Sequence, residues 1–198
     1  MTTYMIAAID VHDGEKYETY KTQAPLQIEK HGGRYIVRGG ERDVVEGSWP
    51  DGRAVVLEFP DWDSANAFVD DPDYAPIAAI RHATTTSHIW LVEGPEGGSN
   101  ADGCHGYLVA EIHVKNADDY APYAAQAPDA LARFDGTYLA RGGRTRCVEG
   151  GMNLDRLVIV GFTDTAQAYA FHGSEGYAPL IKIRQSASDS NVMIVAGL

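Results

Sequence analysis

Apolar and polar positions along the first ninety residues fall into short runs of two periods. Residues 4–11 (Tyr-Met-Ile-Ala-Ala-Ile-Asp-Val) are β-rich and alternate, with Met5, Ala7, Ile9 and Val11 on one face and Tyr4, Ile6, Ala8 and Asp10 on the other. Asp13 then caps a predicted helix to about Lys30, with Tyr17, Tyr20, Ala24 and Ile28 near helical spacing and Pro25 as a possible kink or break. Gly32 and Gly33 end it. Residues 34–38 read as a second strand stopped by Gly39 and Gly40, and residues 55–59 as a third. Asp61 starts a second helix through Ala65 and Phe68, Asp71 and Pro72 break it, a further helical turn runs from Tyr74 to His82, and residues 87–92 form the last strand. The order is β-α-β-β-α-β, a ferredoxin-like module with both helices on one face of a sheet.

The pattern then repeats. An offset of 103 positions lays the second half on the first without a gap: Tyr4 on Tyr107, Tyr17 on Tyr120, Tyr20 on Tyr123, Pro25 on Pro128, Arg38-Gly39-Gly40 on Arg141-Gly142-Gly143. Val45-Glu46-Gly47 likewise falls on Val148-Glu149-Gly150, and Tyr74-Ala75-Pro76 on Tyr177-Ala178-Pro179. Residues 1–94 and 107–198 are therefore two copies of one module, joined by a linker over residues 95–106 in which Gly, Pro, Ser and Asn dominate and periodicity disappears. A single copy would leave the second face of its sheet in water. Two tethered copies can cover each other, because the tether makes the pairing intramolecular. The fold class predicted is α+β: two tandem βαββαβ modules pairing within the chain as an α/β barrel.

Alternation also says what lies between the paired sheets. Val55, Leu57, Phe59, Ile89 and Leu91 join Met5 on the helix side, so Asp10, Glu58, His88, Trp90, Glu111 and His113 point to the lumen. A face mixing acidic, aromatic and imidazole groups predicts a pocket for a small organic molecule.

Composition narrows the classes. The formal charge is −12, which repels phosphate backbones and anionic lipid, so neither nucleic acid nor a membrane surface is the expected partner. No apolar run approaches the ~20 residues of a spanning helix, and the first residues show no signal-peptide pattern. The expected location is the cytoplasm. The abundance of Ala, Gly, Asp and Arg points to a GC-rich bacterial genome. Cys104 and Cys147 match no metal spacing and offer no disulfide framework. No phosphate loop, dinucleotide fingerprint, His-Glu-x-x-His or Gly-x-Ser-x-Gly occurs, so no metal and no cofactor are expected.

Several strings together resemble the DUF1330 family: Lys16-Tyr17-x-x-Tyr20, Gly33 through Gly40, Val45-Glu46-Gly47-Ser48-Trp49, Arg53 to Phe59, and Tyr74-Ala75-Pro76 with Arg81. The resemblance covers both halves and is better in the first. The second has Gly151-Met152 in place of a tryptophan and Gly161 in place of Glu58. It implies the dimeric α/β-barrel fold, used elsewhere by cofactor-free oxygenases, cyclases, dismutating enzymes and haem-degrading enzymes. Fold alone does not give an activity.

The candidate acid/base pair is His113 with Glu111, two residues apart and so on one strand face. The competing reading is a histidine satisfied at a strand end or between the halves. Asp10, Glu58 and His88 form a second catalytic set, whose competing reading is pairing with Arg38 or Arg141. Arg38 and Arg141 could each grip a substrate carboxylate or enolate, or could pin a turn through Glu46 or Glu149. Tyr20, Tyr123 and Trp90 complete the expected substrate contacts. None of the seven histidines recurs at the offset, so the two halves are expected to differ chemically. The expected function is cofactor-independent acid/base chemistry on a small metabolite, of isomerase, lyase, cyclase or oxygenase type, in a specialised biosynthetic or catabolic step. The alternative is a ligand-binding or purely structural pairing module. The halves are expected to pair within one chain, with further homodimerisation left open.

Overall fold

The structure is a computed structural model and describes residues 1–151 and 155–198. In the first half the elements are β1 (Thr3–Val11), α1 (Gly14–Lys30), β2 (Arg34–Arg38), β3 (Arg42–Glu46), β4 (Arg53–Phe59), α2 (Trp62–Val69), α3 (Ala75–Thr84) and β5 (Thr85–Glu93). The second half repeats them as β6 (Gly106–Val114), α4 (Ala117–Ala132), β7 (Thr137–Arg141), β8 (Thr145–Glu149), β9 (Arg156–Phe162), α5 (Thr165–His172), α6 (Ala178–Ala187) and β10 (Ser188–Ala196). Among the described residues no helix is long and apolar enough to cross a membrane.

Helix starts follow local side-chain chemistry. Asp13, Asp61 and Asp164 each accept from a backbone N–H three residues on, at 3.2, 2.7 and 2.8 Å, and Asn116 does the same for α4. Helix α1 runs unbroken through Pro25, and α4 through Pro128. Proline has no N–H, so the carbonyl four residues earlier loses its helical donor. Arg38 Nη2 donates to that carbonyl of Lys21 at 3.5 Å, and Arg141 Nη2 to that of Ala124 at 2.5 Å. Each guanidinium also lies over a tyrosine ring, Arg38 over Tyr35 and Arg141 over Tyr138. The two arginines thus serve the proline-containing helices, and their turn-pinning partners are helix carbonyls rather than Glu46 and Glu149.

The strands form two antiparallel five-stranded sheets, ordered β2-β4-β1-β5-β8 and β3-β10-β6-β9-β7. Each sheet contains four strands from one half and one from the other. The exchanged strands β3 and β8 are the element that the periodicity did not reveal. Arg42-Asp43-Val44-Val45-Glu46 is short and charged at both ends, as suits an edge strand. The crossing is made at the Gly-Gly turns. Gly39 and Gly142 have φ of +75° and +69°, and a Cβ at Gly40 or Gly143 would collide with the carbonyl oxygen of Ala196 at the end of β10 or of Glu93 at the end of β5.

Side chains fall on the two faces as alternation predicts. Met5, Ile9, Leu57, Phe59, Ile89 and Leu91 pack against the helices of the first half, and Leu108, Ile112, Val160 and Ile194 against those of the second. Between the sheets, Tyr4, Ile6, Val56, Trp90, Val109, Ile159 and Met193 belong to one apolar core built from both halves. That space is a packed interior with few polar groups, which differs from the polar-spotted lumen expected. The reason is partly positional: Asp10, Glu58 and His113 stand next to strand ends, while apolar side chains from both halves fill the space between the sheets.

The connecting segment also differs from a loose tether. Ala101 is buried in the shared core, and its N–H donates to Glu58 Oε2 at 2.7 Å. Arg34 donates to Glu58 from Nε at 2.8 Å and pairs with Asp102 at 2.6 Å. Glu58 therefore pins the connection across one end of the barrel. Its counterpart is Gly161, where a Cβ would meet Cys104 Sγ at 2.6 Å, so the connection's return path needs that glycine. Exchanging Glu58 for glutamine keeps the shape but weakens the charge-assisted bonds. A loss of about 1–3 kcal/mol of stability is expected in urea denaturation.

Candidate functional site

The residues singled out from sequence are not gathered at one place. His113 is exposed near the end of β6, with its Nδ1 against the Asp155 carboxylate. Glu111 accepts from Asn191 Nδ2 at 2.9 Å. Asp10 is exposed, 3.9 Å from His12. Glu58 pairs with Tyr4 across β1 and β4, at the opposite end of β1 from Asp10. Six residues of strand separate the two ends, about 20 Å, so Asp10 and Glu58 do not share a site. His88 stacks on Trp90 with centroids 5.9 Å apart, and Trp90 stands edge-on to Trp49 at 6.4 Å inside the core. The position matching Trp49 in the second half, Met152, lies outside the described residues. Tyr20 and Tyr123 are buried, and their hydroxyls bond those of Tyr74 at 3.1 Å and Tyr177 at 2.9 Å.

What the fold does assemble is a pair of clusters on the helix side of each sheet, each built across the two halves. Helix α3 buries Ile77, Ala78, Arg81 and Thr84, which places a guanidinium on its inner face. Arg81 is 2% exposed and is met by Glu149, delivered by the exchanged strand β8. The contact is bidentate: Nη1 to Oε2 at 2.6 Å and Nη2 to Oε1 at 2.5 Å. His82 Nε2 lies 2.7 Å from Glu149 Oε1, with its side chain 55% exposed. The second half mirrors this. Arg184, 2% exposed, donates from Nη2 to Glu46 Oε1 at 2.6 Å, the glutamate coming from β3. Gln185, at the place of His82, donates to Glu46 Oε2 at 3.0 Å. His172 Nε2 is 2.8 Å from Glu46 Oε1 and only 19% exposed. Its counterpart in the first half is Val69.

These differences shape two unequal cavities. The first-half cavity, about 210 Å³, is lined among others by Met5, Phe68, Val69, Tyr74, Ala78 and Ile89, with Arg81, His82, Val148 and Glu149 at its polar side. The second-half cavity, lined in part by Leu108, Phe171, His172, Tyr177, Arg184 and Val192, is about 20 Å³, roughly one water.

The electrostatics are set by burial against pairing. Burial pushes the Glu149 carboxyl up, but the bonds and charge of Arg81 with the bond from His82 outweigh it and hold it below the usual carboxylate range. For Glu46, burial is likewise outweighed, by His172, Arg184 and Gln185, which bring it down to about 2. Burial raises the Tyr20 phenol well above its ordinary value, so it stays protonated. The bond between the Tyr20 and Tyr74 hydroxyls can run either way, and with Tyr20 donating, the Tyr74 hydroxyl proton is free for another acceptor. Among the described residues no cluster of three or more His, Cys, Asp or Glu is grouped to hold a metal ion.

Sequence reasoning missed these clusters. The signal was present, in that Arg81/Arg184 and Glu46/Glu149 both recur at the offset and each arginine sits on the apolar stripe of a helix. What could not be seen was the strand exchange that brings each glutamate to the other half.

Comparisons with known proteins agree with this architecture. A protein of Lactobacillus acidophilus NCFM provisionally named a monooxygenase has 10% identity and a TM-score of 0.57, over 99% of this chain and 93% of its own. A similarly named protein of Fusobacterium nucleatum has 9% identity and a TM-score of 0.55, over 100% and 92%. A heme-binding protein of Thermus thermophilus has 9% identity and a TM-score of 0.52, over 100% and 91%. At these identities the likeness establishes the fold, a dimeric α/β barrel held within one chain. None of the curated proteins matches the sequence. The profile of DUF1330, described as a domain of unknown function, matches residues 2–95 and again 105–198, so the chain belongs to that family as a tandem duplicate.

Proposed function

We propose that this protein is a small-molecule enzyme whose site is the helix-side cavity of the first half, with His82 as the proton acceptor. The observation that carries the reading is the Arg81–Glu149–His82 cluster on the polar side of an otherwise apolar cavity of about 210 Å³. The carboxylate itself is a weak base, because Arg81 stabilises its charge. Its role is to hold the imidazole. With Nε2–H donating to Glu149, Nδ1 is the basic nitrogen, and the imidazolium formed on proton uptake rests against a negative charge. Tyr74 donates its hydroxyl to a substrate oxygen that gains charge when the adjacent carbon loses its proton. Reprotonation at another carbon completes an isomerisation, and departure of a leaving group an elimination. Ring closure or attack on dissolved oxygen by the same carbanion are the cyclase and oxygenase outcomes. The side chains supply this proton chemistry themselves. The names of proteins with the same fold, two monooxygenases and a heme binder, fit a pocket-bearing scaffold for small organic molecules.

The test is hydrogen–deuterium exchange at the acidic carbon of a panel of enolisable cyclic ketones in D₂O. The intact protein is expected to accelerate exchange for at least one compound. His82→Gln is expected to lower that rate by about 10²–10⁴-fold with binding retained. Exchange unaffected by His82→Gln would refute the role. Binding without exchange would make the chain a ligand-binding module.

A further inference from the structure

We infer that Val69 and Ala78 decide which half works: they keep the first cavity open, while their counterparts His172 and Ile181 have closed the second, so that each chain holds one ligand. The inference rests on the cavity being the ligand site. The two halves share the Arg–Glu pair, the tyrosine pair and the position of every helix and strand around it. An ancestral module therefore had the same walls on both sides. The cavities nevertheless differ about tenfold, 210 against 20 Å³.

His172 is larger than Val69 and Ile181 larger than Ala78, so side-chain volume is added at both positions of the second half. Val69 and Ala78 line the open cavity. His172 lines the small one, with its ring 6.4 Å from that of Tyr177 and its Nε2 on Glu46. Ile181 packs against the second-half core. The imidazoles have also changed place. In the first half His82 lines the polar side of the cavity and is half exposed, whereas in the second Gln185 takes that position and the imidazole is the plug. The closed cluster binds its carboxylate with three side chains, Arg184, His172 and Gln185, an arrangement suited to holding the halves together. The second half thus retains one contribution to the working site, the strand that carries Val148 and Glu149.

Crystals of the whole chain soaked with 4-iodophenol, located by iodine anomalous scattering, test this. The wild-type chain is expected to show one iodine site, beside Val69 and Val148. Val69→His is expected to abolish it, and His172→Val with Ile181→Ala to add a second site beside Val45, taking the count from one to two. Because the variants act in opposite directions, misfolding of one leaves the other to decide. Iodine persisting in Val69→His, or a count of one in the opened variant, would overturn the inference while leaving the first-half site standing. No iodine in either cavity of the wild-type chain would overturn both.

Discussion

Replacing Glu46 with alanine is expected to destabilise the protein by about 3–5 kcal/mol, because it removes one partner of a buried ion pair and leaves the other charged and enclosed. Arg184 is 2% exposed and its Nη1 has no hydrogen-bond partner, so Glu46 is its only anionic contact among the described residues. At ~2–4 °C per kcal/mol for a chain of this size, the melting midpoint should fall by roughly 6–20 °C. Replacing both partners with apolar residues, Glu46→Leu with Arg184→Met, should recover most of the loss, since no charge is then stranded. The pH dependence has a definite sign. The Glu46 carboxyl titrates near 2 in the folded chain, below the ordinary 4.5. Its contribution is therefore complete above about 4.5 and is lost as pH falls from there towards 2. Urea melts of the wild-type and Glu46→Ala proteins should converge as pH drops through that window.

The first half expressed alone, residues 1–104, should have no stable monomer. Its strand β3 pairs with β10 of the other half, and the place beside β5 is filled by β8. The apolar core between the sheets draws on both halves. A lone copy would expose that face and leave Arg81 without Glu149. Two copies can repair every loss by exchanging β3 with each other, because Val45-Glu46 matches Val148-Glu149. Sedimentation should return a mass twice that of the fragment, with the monomer appearing only as it unfolds. A folded monomer at high concentration would show that the exchange is dispensable.

The fold was legible because two regularities reinforce each other. Alternation in residues 4–11 assigned the faces of β1, and the repeat supplied an independent second reading of every element. The capping aspartates marked helix starts where backbone donors need acceptors. The exchanged strand was illegible because Arg42–Glu46 carries its meaning in its partner, and nothing local says which sheet a five-residue edge strand joins. The candidate site followed the same divide. Glu111 and His113 do share a strand face, but His113 lies next to the end of β6 and faces water, and parity alone cannot tell an end from a middle. Arg38 and Arg141 drew attention as guanidinia before a Gly-Gly turn that could grip a carboxylate, and both copies keep them. Their recurrence follows from Pro25 and Pro128, whose missing N–H leaves a helix carbonyl to be satisfied. Glu149 was weighed only as a partner of Arg141, and its pairing with Arg81 was missed because it depends on a contact 68 residues apart in sequence.

The most direct measurement is the set of nuclear Overhauser contacts between bound 4-iodophenol and the labelled methyl groups of the intact chain. The account predicts contacts to Ile89 of the first half and Val148 of the second at the same time, because the ligand lies against one half's sheet under a strand lent by the other. Contacts confined to Val109 and Met193, between the two sheets, would contradict it.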